Sequence, residues 1–369
     1  MEHRAFPGLD ARASLLGFGC MRFPTLLDKT IDEPAAKAMI DRAWAGGVNY
    51  FDTAYFYHDG QSEAFIGRAL ADKPRESYYL TSKLPTVMVH SLDDAKRIFA
   101  EQWARLDRDY LDFYLFHNMD AARWHEMLDT GVVDWYLDLQ KQGLFRRLGF
   151  SFHGSYEDFK EVLTARHWDV CQIQLNYMDT EEQAGMAGCR LAGELGVPVI
   201  VMEPVKGGAL AAPPEEVRQL FTAADPAASP SSWALRWCGS LPNVMTVLSG
   251  MSTMEQVEEN LRTFGKLRPM DGAEQAVVAE AARRFRERVR NGCTGCRYCM
   301  PCPAGVDIPG WFKVWNEYGV YQNAQRAASK WKDLAPQQCV ECGACEEQCP
   351  QKLDIRGDLK RMREELDRL

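Results

Sequence analysis

Between residues 15 and 266 the chain repeats one pattern eight times, a short apolar run followed by a longer amphipathic stretch. The runs are LLGFGC, VNYFDTA, YYLTSKL, LDFYLFH, FRRLGFSF, VCQIQLN, VPVIVMEP and VMTVLSG. Short apolar runs alternating with helical-period segments predict parallel strands whose two faces are both covered. In LDDAKRIFAEQWARLD, for example, Ala95, Ile98, Phe99, Trp103 and Leu106 recur on one helical face. Eight strand-then-helix units in about 250 residues fit an α/β chain folded as a (β/α)8 TIM barrel better than an open Rossmann sheet. No G-x-G-x-x-G follows the first run.

In such a barrel the C-terminal ends of the strands meet at one mouth, where chemistry is done. The runs end in polar residues: Asp52 on the second, Lys83 on the third, His117 on the fourth and Ser151 on the fifth, with Gln172 and Asn176 on the sixth. An aspartate, a lysine and a histidine converging there are costly to bury unless they are paired or used.

A second feature stands apart from the barrel. Of the 12 cysteines, Cys293, Cys296, Cys299 and Cys302 form one run, C-x2-C-x2-C-x2-C-P, and Cys339, Cys342, Cys345 and Cys349 another, C-x2-C-x2-C-x3-C-P. Two such runs are the ligand set of two [4Fe–4S] clusters, and structural zinc is the alternative. The second run matches the bacterial ferredoxin pattern. In two-cluster ferredoxins the fourth cysteine of each run serves the other cluster. That resemblance implies Cys293, Cys296 and Cys299 with Cys349, and Cys339, Cys342 and Cys345 with Cys302. Cys171, Cys189 and Cys238 lie in apolar or small-residue surroundings and read as buried thiols, while Cys20, closing the first run, could face the mouth.

Residues 1 to about 268 resemble the aldo/keto reductase superfamily. The resemblance rests on FDTAYFYHDGQSEAFIGRAL, the lysine of LTSKL, the histidine of LDFYLFH and the closing EQVEENL. It implies a catalytic tetrad of Asp52, Tyr57, Lys83 and His117. Tyr57 would donate a proton to a carbonyl oxygen, Lys83 would lower its pKa, Asp52 would hold Lys83, and His117 would orient the substrate. The nearby Tyr50 and Tyr55 are assigned to packing.

The same resemblance implies NADP(H) or NAD(H) across the barrel mouth. Ser151 and Gln172 would hold the nicotinamide, although Phe152 stands where the family has asparagine. Pro204, Lys206, Gly207 and Gly208 would lie by the pyrophosphate, with Ser249, Gly250, Gln256, Glu259 and Asn260 on the adenosine side. The family's basic clamp on the 2′-phosphate corresponds to Gly250, Met251 and Gln256, so neither lysine nor arginine is kept there. Another redox carrier, or electrons from the clusters alone, is the alternative.

Length and composition fit a barrel of residues 1–268, a linking helix over 269–290 with Val277, Ala281, Phe285 and Val289 on one face, and a ferredoxin-like domain over 291–369. The 36 residues between Cys302 and Cys339 read as helix, so that domain is expected to be mainly helical, with Trp311, Phe312, Trp315, Tyr318 and Tyr321 as core. DIRGDLKRMREELDRL reads as a docking helix. A net charge of −9 without a basic run argues against nucleic acid, and no apolar stretch reaches membrane-spanning length. A cytoplasmic oxidoreductase is expected, acting on a carbonyl or alcohol and exchanging electrons with a one-electron partner. The alternatives are an electron-transfer protein whose barrel docks or senses, and a reductase with structural clusters.

Overall fold

The computed structural model describes residues 1–5, 11–334 and 338–369. Contacts divide the chain into two compact units, Met1–Gly207 with Ser232–Asp271, and Gly208–Ser231 with Gly272–Leu369.

The first unit opens with an antiparallel hairpin, β1 (His3–Ala5) and β2 (Arg12–Ser14). The barrel follows: β3 (Leu16–Gly19), β4 (Tyr50–Asp52), β5 (Tyr79–Pro85), β6 (Leu111–Met119), β7 (Phe145–Phe152), β8 (Val170–Gln174), β9 (Val199–Met202) and β10 (Val244–Ser249). Each strand pairs in parallel with its chain neighbour, and β10 closes on β3. All eight apolar runs became these strands. Their near-continuous burial explains why they read as runs rather than as alternating patterns. The barrel interior is packed, not open. Tyr50, Phe113, Leu115, Val170, Ile200, Met245 and Leu248 form one cluster with Ala11 and Ala13. Gly17 allows this, because a Cβ there would come within 2.7 Å of side-chain carbons of Thr246 and Leu248.

The outer helices start where short polar side chains can accept a free backbone N–H. Asp32, Ser91, Asp120, Ser155 and Thr253 do so for the helices Glu33–Ala45, Leu92–Leu106, Ala121–Asp129, Tyr156–Thr164 and Met254–Gly265. The buried face of Leu92–Leu106 is Ala95, Ile98, Phe99, Gln102 and Leu106. Trp103 is only half-buried against the core, and a fully buried glutamine lies in the expected apolar stripe.

In the second unit, helices Ile308–Tyr321, Ala324–Leu334 and Ile355–Leu366 enclose Trp311, Phe312, Trp315, Trp331, Leu359 and Met362. The Trp311 and Trp331 rings meet edge-on with centroids 4.7 Å apart. Each indole N–H has an acceptor: the Leu334 carbonyl for Trp311, Glu365 for Trp315 and Asp367 for Trp331. The helical insert expected between Cys302 and Cys339 is thus two helices, and residues 335–337 within it lie outside the described residues. The helix expected over 269–290 spans Gly272–Glu287. It buries Val278, Ala281, Ala282 and Phe285, and Val289, beyond its end, is exposed.

Candidate functional site

Parallel register fixes where the polar strand ends fall. Asp52 pairs with Gly19 on one side and Thr81 on the other, Pro85 pairs with His117, and Ser151 with Gln172. Tyr57 comes from the loop after β4, where its carbonyl accepts from the backbone N–H groups of Gly60 and Ser62.

At the centre is the Lys83 ammonium, fully buried. Its Nζ donates to Asp52 Oδ1 at 2.5 Å, to the Thr53 carbonyl at 2.8 Å and to Tyr57 Oη at 3.2 Å. Three acceptors match its three donors. Burial works against the charge, but Asp52 and Tyr57 outweigh it and hold the Lys83 pKa above its ordinary value. The other Asp52 oxygen accepts from Gln172 Nε2 at 2.9 Å. The His117 ring stands edge-on to Tyr57, with centroids 5.9 Å apart. Its buried Nδ1 has no hydrogen-bond partner. Burial first, then the Lys83 and His153 charges, push the His117 pKa down to about 3, so the imidazole is neutral at physiological pH.

Lys83 does act to lower the Tyr57 pKa, as expected, but the net outcome is the reverse, and the phenol is held above its ordinary value. Burial disfavours the phenolate more than the ammonium favours it, and Asp52 adds to the rise. The tyrosine as it stands is a held proton rather than a ready phenolate.

Tyr50 is a packing residue whose hydroxyl accepts from Thr81 Oγ1, and Tyr55 donates to Glu101. Cys20 is buried beside the tetrad, with its N–H on the Asp52 carbonyl and its thiol pKa raised by burial and by Asp52. Cys171, Cys189 and Cys238 are buried.

The residues expected around a nucleotide are partly engaged with one another. Ser151 Oγ accepts from the Asn118 amide at 2.9 Å, and Gln172 serves Asp52. Lys206 Nζ lies 2.5 and 2.6 Å from the two oxygens of Asp179, which also accepts from Gln174 and Asn176. Gly207 and Gly208 both have positive φ, and Pro204 is buried. Asn260 donates to Ser249 Oγ, and Gln256 accepts from the Ser252 amide. A Cβ on Gly250 would meet Arg22 Cγ at 2.7 Å, and Glu259 lies on the helix Met254–Gly265.

The sequence reading missed a buried polar group behind the tetrad. Glu63, fully buried, accepts from Ser82 Oγ and Gln102 Nε2, both at 2.6 Å, and from Arg105 at 3.3 Å. Gln102 also donates to the Lys83 carbonyl and accepts from the Tyr114 hydroxyl. The available signal was Gln102 itself, a polar side chain at helical spacing between Phe99 and Leu106.

In the second unit the cysteines line two cavities. The larger, of about 140 Å³, is bordered by Cys299, Cys302, Cys339, Cys342 and Cys345, so Cys299 borders both cavities. The other is bordered by Cys293, Cys296, Cys299 and Cys349. Each cavity thus has four or more thiols around it, a donor set that fits an iron–sulfur cluster. Among the described residues no group of three His, Cys, Asp or Glu side chains closes on a point tightly enough to hold a single ion. No helix among them is long and apolar enough to cross a membrane.

The aldo/keto reductase family model matches residues 15–281, and a 4Fe-4S dicluster domain model matches residues 292–353. A probable aldo-keto reductase of Glycine max is 30% identical over 205 residues, which cover 53% of this chain and 57% of that protein. L-galactose dehydrogenase of Arabidopsis thaliana is 25% identical over 79% of this chain and 96% of its own. Among solved structures, the holo form of an aldo-keto reductase from Bacillus halodurans superposes with a TM-score of 0.65 at 25% identity, covering 76% of this chain and 96% of its own. The fold is also that of a Klebsiella pneumoniae aldo-keto reductase solved with NADPH, with a TM-score of 0.61 at 19% identity over 76% and 95% of the two chains. The chain belongs to the aldo/keto reductase family of oxidoreductases and carries a C-terminal 4Fe-4S dicluster domain.

Proposed function

We propose that the barrel interconverts a small carbonyl compound and its alcohol with NADP(H) or NAD(H), through Asp52, Tyr57, Lys83 and His117. The observation that carries this reading is the buried Lys83 ammonium, saturated by Asp52, Thr53 and Tyr57. When bound, the nicotinamide supplies or accepts the hydride. The chain's own residues handle the proton. Tyr57 gives its hydroxyl proton to the oxygen that gains negative charge, and the phenolate left behind is stabilised by Lys83 at 3.2 Å. Neutral His117 can hydrogen-bond the same oxygen without competing for that proton. Asp52 keeps Lys83 charged and placed, and Gln172 fixes the second Asp52 oxygen. A sugar or other hydroxyl compound fits this chemistry, and one relative is named as L-galactose dehydrogenase.

The second unit holds two [4Fe–4S] clusters in this reading, one on Cys293, Cys296, Cys299 and Cys349 and one on Cys302, Cys339, Cys342 and Cys345. The support is the grouping of the thiols around the two cavities. Such clusters pass single electrons, which suits exchange with an external one-electron carrier. In this reading the domains are a barrel over 1–268, a linking segment over 269–290 built on the helix Gly272–Glu287, and a cluster domain over 291–369, in a cytoplasmic protein.

The test is anaerobic titration of the purified protein with NADPH and with NADH, followed by addition of substrate candidates. Saturable binding of one nucleotide and carbonyl turnover abolished by Tyr57→Phe are expected, and the cluster absorbance is followed in the same samples. Absence of binding by either nucleotide refutes the nicotinamide assignment. Turnover without cluster bleaching favours structural clusters.

A further inference from the structure

Two adjacent residues outside the tetrad bond to segments on both sides of the Lys83–Tyr57 contact. Ser62 and Glu63 lie in the first turn of the helix Gln61–Ala69, and both are fully buried. The Ser62 N–H donates to the Tyr57 carbonyl at 3.2 Å. Its hydroxyl donates to the Cys20 carbonyl at 2.9 Å and shares a hydrogen bond of 2.9 Å with Thr53 Oγ1. Thr53 is the residue whose carbonyl accepts from Lys83 Nζ. One side chain therefore ties β3 to the end of β4, while its backbone holds the loop carrying Tyr57.

Glu63 does the corresponding work on β5. Its Oε1 accepts from Ser82, the residue before Lys83, and from Gln102, whose amide also donates to the Lys83 carbonyl at 3.0 Å. Its Oε2 accepts from Arg105. A buried carboxylate with three donors is restrained from three sides, and leaving any of those donors unpaired would be costly.

We infer that Ser62 and Glu63 are positioning residues for the proton-donating pair, setting the Lys83-to-Tyr57 distance through Thr53 and the Tyr57 carbonyl on one side and through Ser82 and Gln102 on the other. The inference rests on the tetrad reading above. Neither side chain touches the reacting atoms. Their effect passes through the 3.2 Å contact between Lys83 Nζ and Tyr57 Oη, and a misplacement of about 1 Å in such a contact can cost on the order of a hundredfold in rate.

The full-length protein is assayed with NADPH and 4-nitrobenzaldehyde as probe, comparing wild type, Tyr57→Phe, Ser62→Ala and Glu63→Gln. Ser62→Ala and Glu63→Gln are expected to lower kcat about tenfold or more while KM stays within about threefold. Tyr57 ionisation is followed in parallel without substrate, as the tyrosinate absorbance lost on adding Tyr57→Phe to each background. It is expected to move in Ser62→Ala, because both the ammonium contact and the burial that set it change. A merely structural role would lower Tm and leave kcat and the Tyr57 ionisation unmoved, and that result overturns the inference. If instead Tyr57→Phe retains full turnover, the tetrad reading fails and this inference with it. If Tyr57→Phe is inactive while both other variants keep wild-type kcat and Tyr57 ionisation, only the positioning role fails. Should Glu63→Gln not fold, Ser62→Ala decides the matter alone.

Discussion

Lys83 Nζ lies 2.5 Å from Asp52 Oδ1, with both side chains closed off from solvent. Removing one partner leaves a buried, uncompensated charge. Asp52→Asn and Lys83→Met are each expected to cost about 3–5 kcal/mol of stability. The double variant should cost clearly less than the sum, since it strands neither charge. A double-mutant cycle by urea unfolding measures this, and additive losses would mean that the pair is not coupled.

His117 gives a pH signature. In the folded chain it takes up a proton only at about pH 3, against about 6.5 for an unfolded histidine. Between those values the unfolded chain binds the additional proton. The His117 contribution to stability is therefore fully present above about pH 6.5 and is lost progressively as pH falls toward 3. His117→Gln should flatten that part of the stability curve. The same depressed value predicts no histidine break in kcat between about pH 5 and 8. A break there that disappears in His117→Gln would contradict the neutral ring.

Lys206 is held by Asp179 through both carboxylate oxygens, which leaves its ammonium partly neutralised before any ligand arrives. If Lys206 serves a nucleotide phosphate, Asp179→Asn should tighten binding of NADPH or NADH. The pair is partly exposed, so the gain should be modest, about two- to fivefold in Kd. Fluorescence titration of the two proteins reads it directly. An unchanged Kd would place the phosphate away from Lys206.

The barrel was legible because all eight of its strands are covered on both faces, which writes them as unbroken apolar runs. The polar ends of those runs, Asp52, Lys83 and His117, marked the mouth for the same reason, standing out against apolar neighbours. The direction of the Tyr57 shift was not legible. Residue types reveal the nearby ammonium, but the opposing cost depends on how much water the fold removes. Ser62, Glu63 and Gln102 were missed because their partners come from different elements, β3, β4, β5 and the helix Leu92–Leu106, which local spacing cannot bring together. Val289 failed for a simpler reason, since the helix ends at Glu287 and the periodicity no longer applies beyond it.

Cys349 borders the same cavity as Cys293, Cys296 and Cys299, although it belongs to the other cysteine run, and Cys302 borders the cavity of Cys339, Cys342 and Cys345. The crossed arrangement makes a prediction that sequence order alone would reverse. After anaerobic reconstitution, Cys349→Ser and Cys296→Ser should lose the same cluster signal in electron paramagnetic resonance of the reduced protein. Cys302→Ser and Cys342→Ser should lose the other. Iron in each variant should fall from about eight to about four per chain. Cys349 is also part of the tryptophan-rich core of the second unit, so its replacement should lower Tm more than that of the exposed Cys296. If Cys349→Ser instead removes the signal lost in Cys342→Ser, each run serves its own cluster and the crossing is refuted.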